Sequence, residues 1–291
     1  MLPVAPRLRG SMTKLYSHSR LSAFENCPRK FAFRYVEQVR SETEGIEAFV
    51  GKRVHEVLER LYEFVAREQV PSLRRVLDRY HALFEEHFDA ARVVIVKEGL
   101  GVEHYRTLGV RCLENHYRTH YPFDADETLG VEERVVFRLD AEGRYGIQGF
   151  VDRIARAADG TIEIHDYKTG ENVPSQKRLD ADRQLALYQI GLAERFGAGR
   201  PIRLVWQYLS RGLRRVSTRS PEQLDAVRSE SLALIERIES ATEFPARKSN
   251  LCRWCDYQAI CPAFGGSGAR DGDARADASG PPRDAQPRLF S

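Results

Sequence analysis

Three strand-like segments, joined by two short loops of the same design, constrain this chain more than any other feature. The segments cover residues 131–140, 144–156 and 161–168, and they are rich in β-branched and aromatic side chains. Each loop has three residues and ends in glycine, at Gly143 and Gly160, where a hairpin of this length needs a left-handed residue. The pattern therefore predicts a three-stranded antiparallel meander.

Helical patterns flank the meander on both sides. Before it, apolar residues at helical spacing predict helices over about residues 17–27, 47–67, 72–90 and 102–120. After it, we expect a helix, a strand, a short strand and a helix, at residues 176–196, at residues 202–209, near Val216 and at residues 221–240. This order predicts an α/β (α+β) fold with a mixed central sheet, flanking helices and a helical N-terminal half.

The two ends of the chain differ from the part between them. Residues 1–16 are predicted to be a flexible arm, and residues 265–291, which have few large apolar side chains, a disordered tail. The rest, residues 17–264, is predicted to be one domain. Within it we expect a helical part, a core, and a C-terminal helix with a cysteine segment, at residues 17–125, 126–220 and 221–264.

The composition is that of a globular protein and excludes several classes. Of 291 residues, 42% are hydrophobic and 30% charged, and the net charge of +3 is too small for a nucleic-acid coat protein. The apolar runs are too short for a membrane span, and the first residues lack the apolar core of a secretory signal. We therefore expect a cytoplasmic protein without a membrane partner.

The second hairpin brings two acidic residues together. Its loop pairs Ala157 with Thr161, and the same register sets Asp152 opposite Asp166, with their Cβ atoms about 5 Å apart. Alternation puts Lys168 on the face of Asp166. Two carboxylates beside apolar side chains would repel each other, so we expect a divalent ion between them in addition to the lysine. The alternative is that Asp152 and Asp166 are exposed strand residues and that Lys168 is a surface ion-pair partner.

Four short motifs resemble a known enzyme family. Residues 149–154 read Gly-Phe-Val-Asp-Arg-Ile and residues 166–170 read Asp-Tyr-Lys-Thr-Gly. Residues 184–188 read Gln-Leu-Ala-Leu-Tyr, and upstream, residues 51–55 read Gly-Lys-Arg-Val-His. Their order and spacing resemble the core motifs of the PD-(D/E)xK nuclease superfamily, and most closely its RecB-like exonuclease branch. The resemblance extends over most of the chain and implies a restriction-endonuclease-like core.

The resemblance also implies a metal site. Asp152, Asp166, the backbone carbonyl of Tyr167 and His55 would bind Mg²⁺ or Mn²⁺, and Lys168 would orient or deprotonate the attacking water. These roles agree with metal chemistry, because a bound divalent ion polarises a scissile phosphate and lowers the pKa of its water.

Two further residues belong to the resemblance. Gln184 and Tyr188 are four residues apart and share one face of the predicted helix. The family uses these positions to support the active site and the substrate strand. An ordinary helix–sheet contact would explain them almost as well.

The five cysteines need an explanation other than disulfides in a chain that we expect in the cytoplasm. Cys252, Cys255 and Cys261 form a run with metal-ligand spacing, and Cys27 lies far upstream. One remote and three clustered thiols disfavour a zinc ribbon, which usually has two close pairs. Cys112 lies within an apolar helical pattern and is predicted to be a buried core thiol.

The sequences around these four cysteines resemble the iron–sulfur staple of AddB-type nucleases. That resemblance implies a [4Fe–4S] cluster that ties the N-terminal helix to the C-terminal segment, with four thiolate ligands. Nearby basic and aromatic side chains could follow phosphates and stack on bases, or could be ordinary surface: Arg29, Lys30, Arg34 and Tyr35.

The leading hypothesis is a metal-dependent deoxyribonuclease that acts in DNA repair or recombination on single-stranded or frayed ends. The segment from Gly45 to Arg53 fails as a phosphate-binding loop, because its spacing is one residue too long and arginine replaces serine or threonine. We expect no ATP site, so a separate helicase would unwind duplex substrates. The alternatives are a non-catalytic DNA-binding module with the same fold, and an iron–sulfur redox protein.

Overall fold

In a computed structural model of the chain, which describes residues 13–197, 199–266 and 268, the predicted meander forms the centre of a six-stranded mixed sheet. The strands in chain order are β1 (Lys14–Tyr16), β2 (Glu44–Gly45), β3 (Val93–Val94), β4 (Asp126–Arg138), β5 (Tyr145–Ala157), β6 (Ile162–Lys168), β7 (Ile202–Tyr208) and β8 (Leu213–Ser217). The large sheet has the order β1-β5-β6-β7-β8, with β4 also paired to β5, while β2 and β3 form a small parallel pair.

Helices precede and follow the meander, as predicted. They are α1 (His18–Asn26), α2 (Pro28–Phe31), α3 (Ile46–Val65), α4 (Leu73–His87), α5 (Val102–His120), α6 (Gln176–Asp180), α7 (Arg183–Phe196) and α8 (Pro221–Ser240). Short turns of π or 3-10 helix cover Ala32–Val36, Leu209–Arg211, Asn250–Trp254, Gln258–Ile260 and Pro262–Phe264. The predicted mixed α/β fold is therefore confirmed.

The predicted helix over residues 176–196 is two helices, α6 and α7. The side chain of Asp182 accepts a hydrogen bond from the backbone N–H of Leu185, at 3.1 Å, and so caps the start of α7. An aspartate at this position satisfies an N–H that has no partner within the helix. The cap starts a new helix at the point where periodicity alone predicted a continuous one.

The prediction of a flexible arm over residues 1–16 is wrong at its end. Residues 14–16 form β1, which pairs in parallel with the start of β5. Lys14 and Tyr16 both contact the carboxylate of Glu239 on α8. Residues 1–12 of the arm, and the predicted tail apart from residues 265, 266 and 268, lie outside the described residues.

The described chain forms two compact units, each made of two separate segments. Of the described residues, the first unit comprises residues 13–21 and 43–240 except 198, and the second comprises residues 22–42, 241–266 and 268. The first unit contains the whole large sheet and α3 to α8. The second contains Cys27 and the C-terminal cysteines.

In the first unit, α3, α4 and α5 pack together around a large apolar cluster. Every third or fourth residue of α3 is buried there, including Val54, Leu58 and Leu61. Gly109 on α5 leaves room for the ring of Tyr80, because a Cβ at this position would overlap that ring. This close approach holds α4 against α5.

A buried charged network lies on the face of the sheet opposite Asp166. The side chain of Arg153 is 1% exposed, and it donates two hydrogen bonds to Asp126, at 2.7 and 2.8 Å. Its guanidinium group also lies over the ring of Tyr62, 4.2 Å from the centroid. Glu163 accepts hydrogen bonds from Arg203 and Arg214. Buried charges of this kind are stable only when each has a partner, and here each has one.

Candidate active site

The predicted register of the second hairpin places the two aspartates of the site. The ladder between β5 and β6 runs from Arg156 opposite Ile162 to Arg153 opposite His165, so Asp152 and Asp166 are the next residues. The ladder ends there because the N–H of Tyr167 donates to Asp152 Oδ2, at 2.6 Å. A side-chain carboxylate thus replaces a backbone acceptor, which fixes Asp152 beside the end of β6.

Asp166 and Lys168 form a close ion pair on one face of β6. The Lys168 ammonium lies 2.7 Å from Asp166 Oδ2 and 3.0 Å from Oδ1. The Asp166 side chain is only 7% exposed and that of Lys168 is 40% exposed. The alternative that Asp166 is an exposed strand residue is therefore wrong. A buried carboxylate with a cation at the solvent edge is suited to a reaction centre.

Burial and charge shift the proton affinities of this pair. Burial raises the pKa of Asp166 to about 6, with the nearby Asp152 carboxylate adding to the rise and Lys168 opposing it. Burial works to lower the pKa of Lys168, but the adjacent Asp166 outweighs burial and raises it above its usual value. Lys168 therefore keeps its positive charge at neutral pH.

His55 reaches the same place from α3. Its Nε2 atom lies 3.0 Å from the carbonyl oxygen of Tyr167, and its Nδ1 atom lies 3.4 Å from Asp152 Oδ1. Burial works against its charged form, but the Asp152 carboxylate outweighs burial and raises the pKa of His55. Nδ1 is buried and has no hydrogen-bond partner among the described residues. The two ring nitrogens thus face different groups.

Glu132 on β4 is a residue of the site that the motifs do not include. Its Oε1 atom lies 3.8 Å from His55 Nδ1. The pairs on either side, Val131 with Arg153 and Glu133 with Val151, set Glu132 opposite Asp152. The sequence contains the signal for this position, because the register of the first hairpin, extended from the glycine-ended loop, leads to the same pairing.

Gln184 and Tyr188 lie on α7, next to the two acidic strands. Tyr188 is buried, and its ring fills the space over Gly149, where a Cβ would overlap it. Burial raises the pKa of Tyr188 to about 12, against a hydrogen bond from Gln184, and the charges of Asp166 and Asp152 add to the rise. Tyr188 therefore lies within electrostatic reach of the acidic residues and packs directly on β5, and Gln184 is its hydrogen-bond partner.

Two groups of side chains in the described part of the chain have metal-ligand chemistry and mutual distances within 4.8 Å. The first consists of His55, Glu132 and Asp152, whose one nitrogen and two carboxylate donors fit a divalent ion. The second consists of Asp126, Glu163 and His165, and arginine guanidinium groups already occupy its carboxylates. The first group fits a metal ion, and the second is part of the buried network.

The four cysteines predicted to form a cluster all belong to the second unit. Cys27 Sγ accepts a hydrogen bond from the N–H of Arg247, at 3.4 Å, and Cys252 Sγ accepts one from the N–H of Ser249, also at 3.4 Å. The Cys252 thiol in turn donates to the carbonyl of Arg247. The backbone of one residue, Arg247, therefore contacts two sulfurs that are far apart in sequence.

Cys255 and Cys261 belong to the same unit as Cys27 and Cys252, whereas Cys112 belongs to the first unit. Burial raises the pKa of Cys255, and the Cys27 sulfur is near enough to contribute. Cys261 is buried at the start of the turn Pro262–Phe264. Cys112 is fully buried in the first unit, where burial raises its pKa to about 12. The prediction that Cys112 is a core thiol is confirmed.

One of the basic residues considered for nucleic-acid contact has a structural partner. Arg29 donates to Glu37, at 2.6 Å, and its guanidinium group lies 4.0 Å above the ring centroid of Phe33. In the same unit, Tyr257 stacks on Phe33 and donates to the carbonyl of Val39. Arg29 therefore helps to hold the second unit together.

Comparison with known proteins identifies the family. The family model of the PD-(D/E)XK nuclease superfamily matches residues 16–262, which is most of the chain. The chain belongs to this superfamily, whose members are metal-dependent nucleases. No curated protein matches the chain.

Solved structures also resemble it. One, titled "Crystal structure of SSO0001", aligns with a TM-score of 0.40 and 14% sequence identity, over 88% of this chain and 89% of that chain. None of the helices in the described part of the chain has the length and apolar character needed to cross a membrane.

Proposed function

We propose that this protein is a RecB-like, metal-dependent DNA exonuclease that processes DNA ends in repair or recombination. The observation that carries the proposal is the convergence of Asp152, inside β5, with Asp166 and Lys168 at the end of β6, and with His55 beside them. These are the residue types and positions of the superfamily motifs. They supply two acidic ligands, one nitrogen ligand and one cation around a half-buried space.

The roles of the residues follow from their charges and contacts. A divalent ion held by Asp152, Asp166 and His55 would polarise the scissile phosphate and lower the pKa of a bound water. Lys168 keeps its proton beside Asp166, so it acts as a hydrogen-bond donor that orients the attacking water or a phosphate oxygen. The motif resemblance adds the carbonyl of Tyr167 to the ligand set.

The substrate that we propose is DNA with single-stranded or frayed ends. Gln184 and Tyr188 would support the strand that enters the site, since Tyr188 packs on β5 near the acidic residues and Gln184 is its hydrogen-bond partner. Because the chain lacks a recognisable ATP-binding loop, we propose that a separate helicase opens duplex ends for it. We propose the cytoplasm as its location.

Metal-dependent cleavage tests this function directly. The full chain, purified without oxygen, is incubated with end-labelled single-stranded DNA in the presence of Mg²⁺, Mn²⁺ or EDTA. We expect cleavage with Mg²⁺ or Mn²⁺ and none with EDTA, because the carboxylates alone do not activate water. Shortening of the labelled strand by one nucleotide at a time would identify an exonuclease. Binding of DNA without cleavage in every metal would instead favour a non-catalytic DNA-binding module.

For the second unit, we propose a [4Fe–4S] cluster bound by Cys27, Cys252, Cys255 and Cys261. Two observations support it. Four thiols from both ends of the chain lie in one small unit, and backbone N–H groups point at the sulfurs of Cys27 and Cys252. N–H···S hydrogen bonds of this kind stabilise thiolate ligands and tune iron–sulfur clusters. The cluster would have a structural role.

Removing one thiol is expected to remove the cluster. In Cys27→Ser, iron and acid-labile sulfide should fall from four of each per chain to near zero, because three thiolates leave one iron without a protein ligand. The matched control is Cys112→Ser, which should keep both. Iron, sulfide and zinc are measured in proteins purified without oxygen. Full iron content in Cys27→Ser, or zinc without sulfide in the wild type, would contradict the proposal.

A further inference from the structure

A row of paired residues leads from the candidate site to the edge of the sheet. Asp166 on β6 is paired with Trp206 on β7, and Trp206 is paired with Arg215 on β8, the last strand of the sheet. Directly paired residues on neighbouring strands have their side chains on the same face. Arg215 therefore lies on the face of the sheet that holds Asp166 and Lys168.

The preceding residue, Arg214, provides a contrast. It lies on the opposite face and donates to Glu163 Oε1, at 2.7 Å. Arg214 is exposed, whereas Arg215 is half-buried. Within the described part of the chain, the one hydrogen bond of Arg215 is to the carbonyl of Arg214, at 3.4 Å, and no carboxylate lies within ion-pair distance of it. The less exposed arginine thus lacks a counter-charge, although a partly desolvated cation favours one.

The guanidinium group of Arg215 is accessible to a ligand. Its Nε and Nη2 atoms are not among the buried side-chain atoms without a partner, so solvent reaches them. The start of β8 is also open: Leu213, on the same face, is exposed, and α6 contacts the strand further along, where Gln176 donates to the carbonyl of Val216. A planar guanidinium group matches the oxygens of a phosphate with two parallel hydrogen bonds.

Tyr208 relates Arg215 to the lysine of the site. It is paired with Lys168 where β6 and β7 both end. Burial raises the pKa of Tyr208, the Asp166 carboxylate adds to the rise, and the charges of Lys168 and Arg215 oppose it. One phenol group is thus within electrostatic reach of both cations, which places Arg215 at the same end of the strands as Lys168.

The spacing of the strands determines which phosphate Arg215 can reach. Neighbouring strands lie about 4.8 Å apart, so the Cα atoms of Asp166 and Arg215, two strands apart, are separated by about 10 Å. A stacked DNA strand advances about 3.4 Å per nucleotide, so this separation corresponds to about three nucleotides. With the scissile phosphate at Asp166 and Lys168, a neighbouring phosphate of the same strand reaches Arg215.

We infer that Arg215 binds a backbone phosphate of the substrate, within about three nucleotides of the scissile bond. This inference rests on the proposed function and adds to it a substrate contact that the motifs do not include. A phosphate contact carries no sequence information. Arg215 therefore contributes affinity and positions the strand for DNA of any sequence.

The salt dependence of DNA binding tests this contact. Binding of the full chain to fluorescently labelled single-stranded DNA is measured by anisotropy in EDTA, over a series of NaCl concentrations. For Arg215→Gln we expect about 10-fold weaker binding at low salt. The slope of log K against log [NaCl] should be shallower by about 0.7, because one phosphate contact fewer releases counterions. A slope equal to that of the wild type would overturn the inference.

The matched control is Arg214→Gln. It removes the same charge one residue away, but from the opposite face, and Glu163 keeps its hydrogen bond with Arg203. We expect the affinity and the slope of the wild type. Equal losses in the two variants would show that only the net charge matters and would overturn the inference. Arg215→Met, which keeps the apolar stem, replaces Arg215→Gln if that variant does not fold, with the same expected losses.

Substrates with one uncharged linkage identify the phosphate. A methylphosphonate replaces one phosphate at a time near the end of the labelled strand, and binding in EDTA is measured again. At one linkage the wild type should lose about 10-fold in affinity, whereas Arg215→Gln should lose nothing there, because its contact is already absent. Losses that add at every linkage would overturn the inference.

Cleavage separates this inference from the proposed function. With Mn²⁺, Arg215→Gln should raise KM about 10-fold and leave kcat near that of the wild type, as removal of a binding contact does. Cleavage with an unchanged KM would overturn the inference and leave the proposed function intact. Wild type that binds DNA through Arg215 but cleaves it with no metal would defeat the proposed function and leave the phosphate contact intact.

Discussion

Replacing Lys168 by methionine is expected to reduce DNA cleavage by about 10²- to 10⁴-fold, with the fold unchanged. Methionine keeps the apolar stem of the side chain and removes the ammonium group that lies 2.7 Å from Asp166. Without this donor, neither the attacking water nor the phosphate would be oriented. The change is measured as the initial rate of cleavage of end-labelled single-stranded DNA at saturating Mn²⁺.

Two further variants make this result specific. Asp166→Asn, which keeps the volume of the side chain, should lose activity to a similar extent, because it removes a charged ligand. Lys177→Ala, on the exposed surface of α6, should cleave at the wild-type rate. Circular dichroism of each variant verifies its fold. Cleavage by Lys168→Met at the rate of Lys177→Ala would refute the assigned role.

The largest effect on stability is expected at Arg153. Its guanidinium group is buried, and it is the partner of the Asp126 carboxylate. In Arg153→Met, that carboxylate would remain half-buried without a cation, so we expect the free energy of unfolding to fall by about 3–5 kcal/mol. The measurement is urea unfolding followed by circular dichroism.

The same pair of strands provides a matched control. Arg156 on β5 contacts Glu127 on β4 at 2.8 Å, but its side chain is 43% exposed. Arg156→Met should therefore cost less than about 1 kcal/mol, as exposed ion pairs do. The double variant Arg153→Met, Asp126→Asn should recover part of the loss. Equal effects at the two arginines would show that burial does not govern this pair.

Local signals made the sheet and half of the site predictable from the sequence. The two glycine-ended loops fix the registers of the meander, because a three-residue hairpin loop leaves little freedom in pairing. The register around Gly160 correctly set Asp152 beside Asp166. The register around Gly143 sets Glu132 beside Asp152 in the same way, but no motif drew attention to that residue.

Other features depend on contacts between distant parts of the chain. Arg153 occurs in a motif as an ordinary basic residue, and charged side chains are usually exposed. Its burial results from Tyr62 on α3, which lies far away in sequence. The left-handed backbone of Glu132 likewise has no local signal, since glutamate does not favour it. Such conformations are imposed by the folded structure.

The composition of the second unit has a consequence for how the protein is made. Phe244 packs against Phe24 and Phe31, and Arg247 contacts Cys27 across a sequence separation of 220 residues. During synthesis, Phe24, Phe31 and Cys27 therefore leave the ribosome long before Phe244 and Arg247 do. During this interval the nascent chain exposes apolar side chains and a free cysteine. Chaperones that bind nascent chains, and reducing conditions, should therefore improve the yield of folded protein.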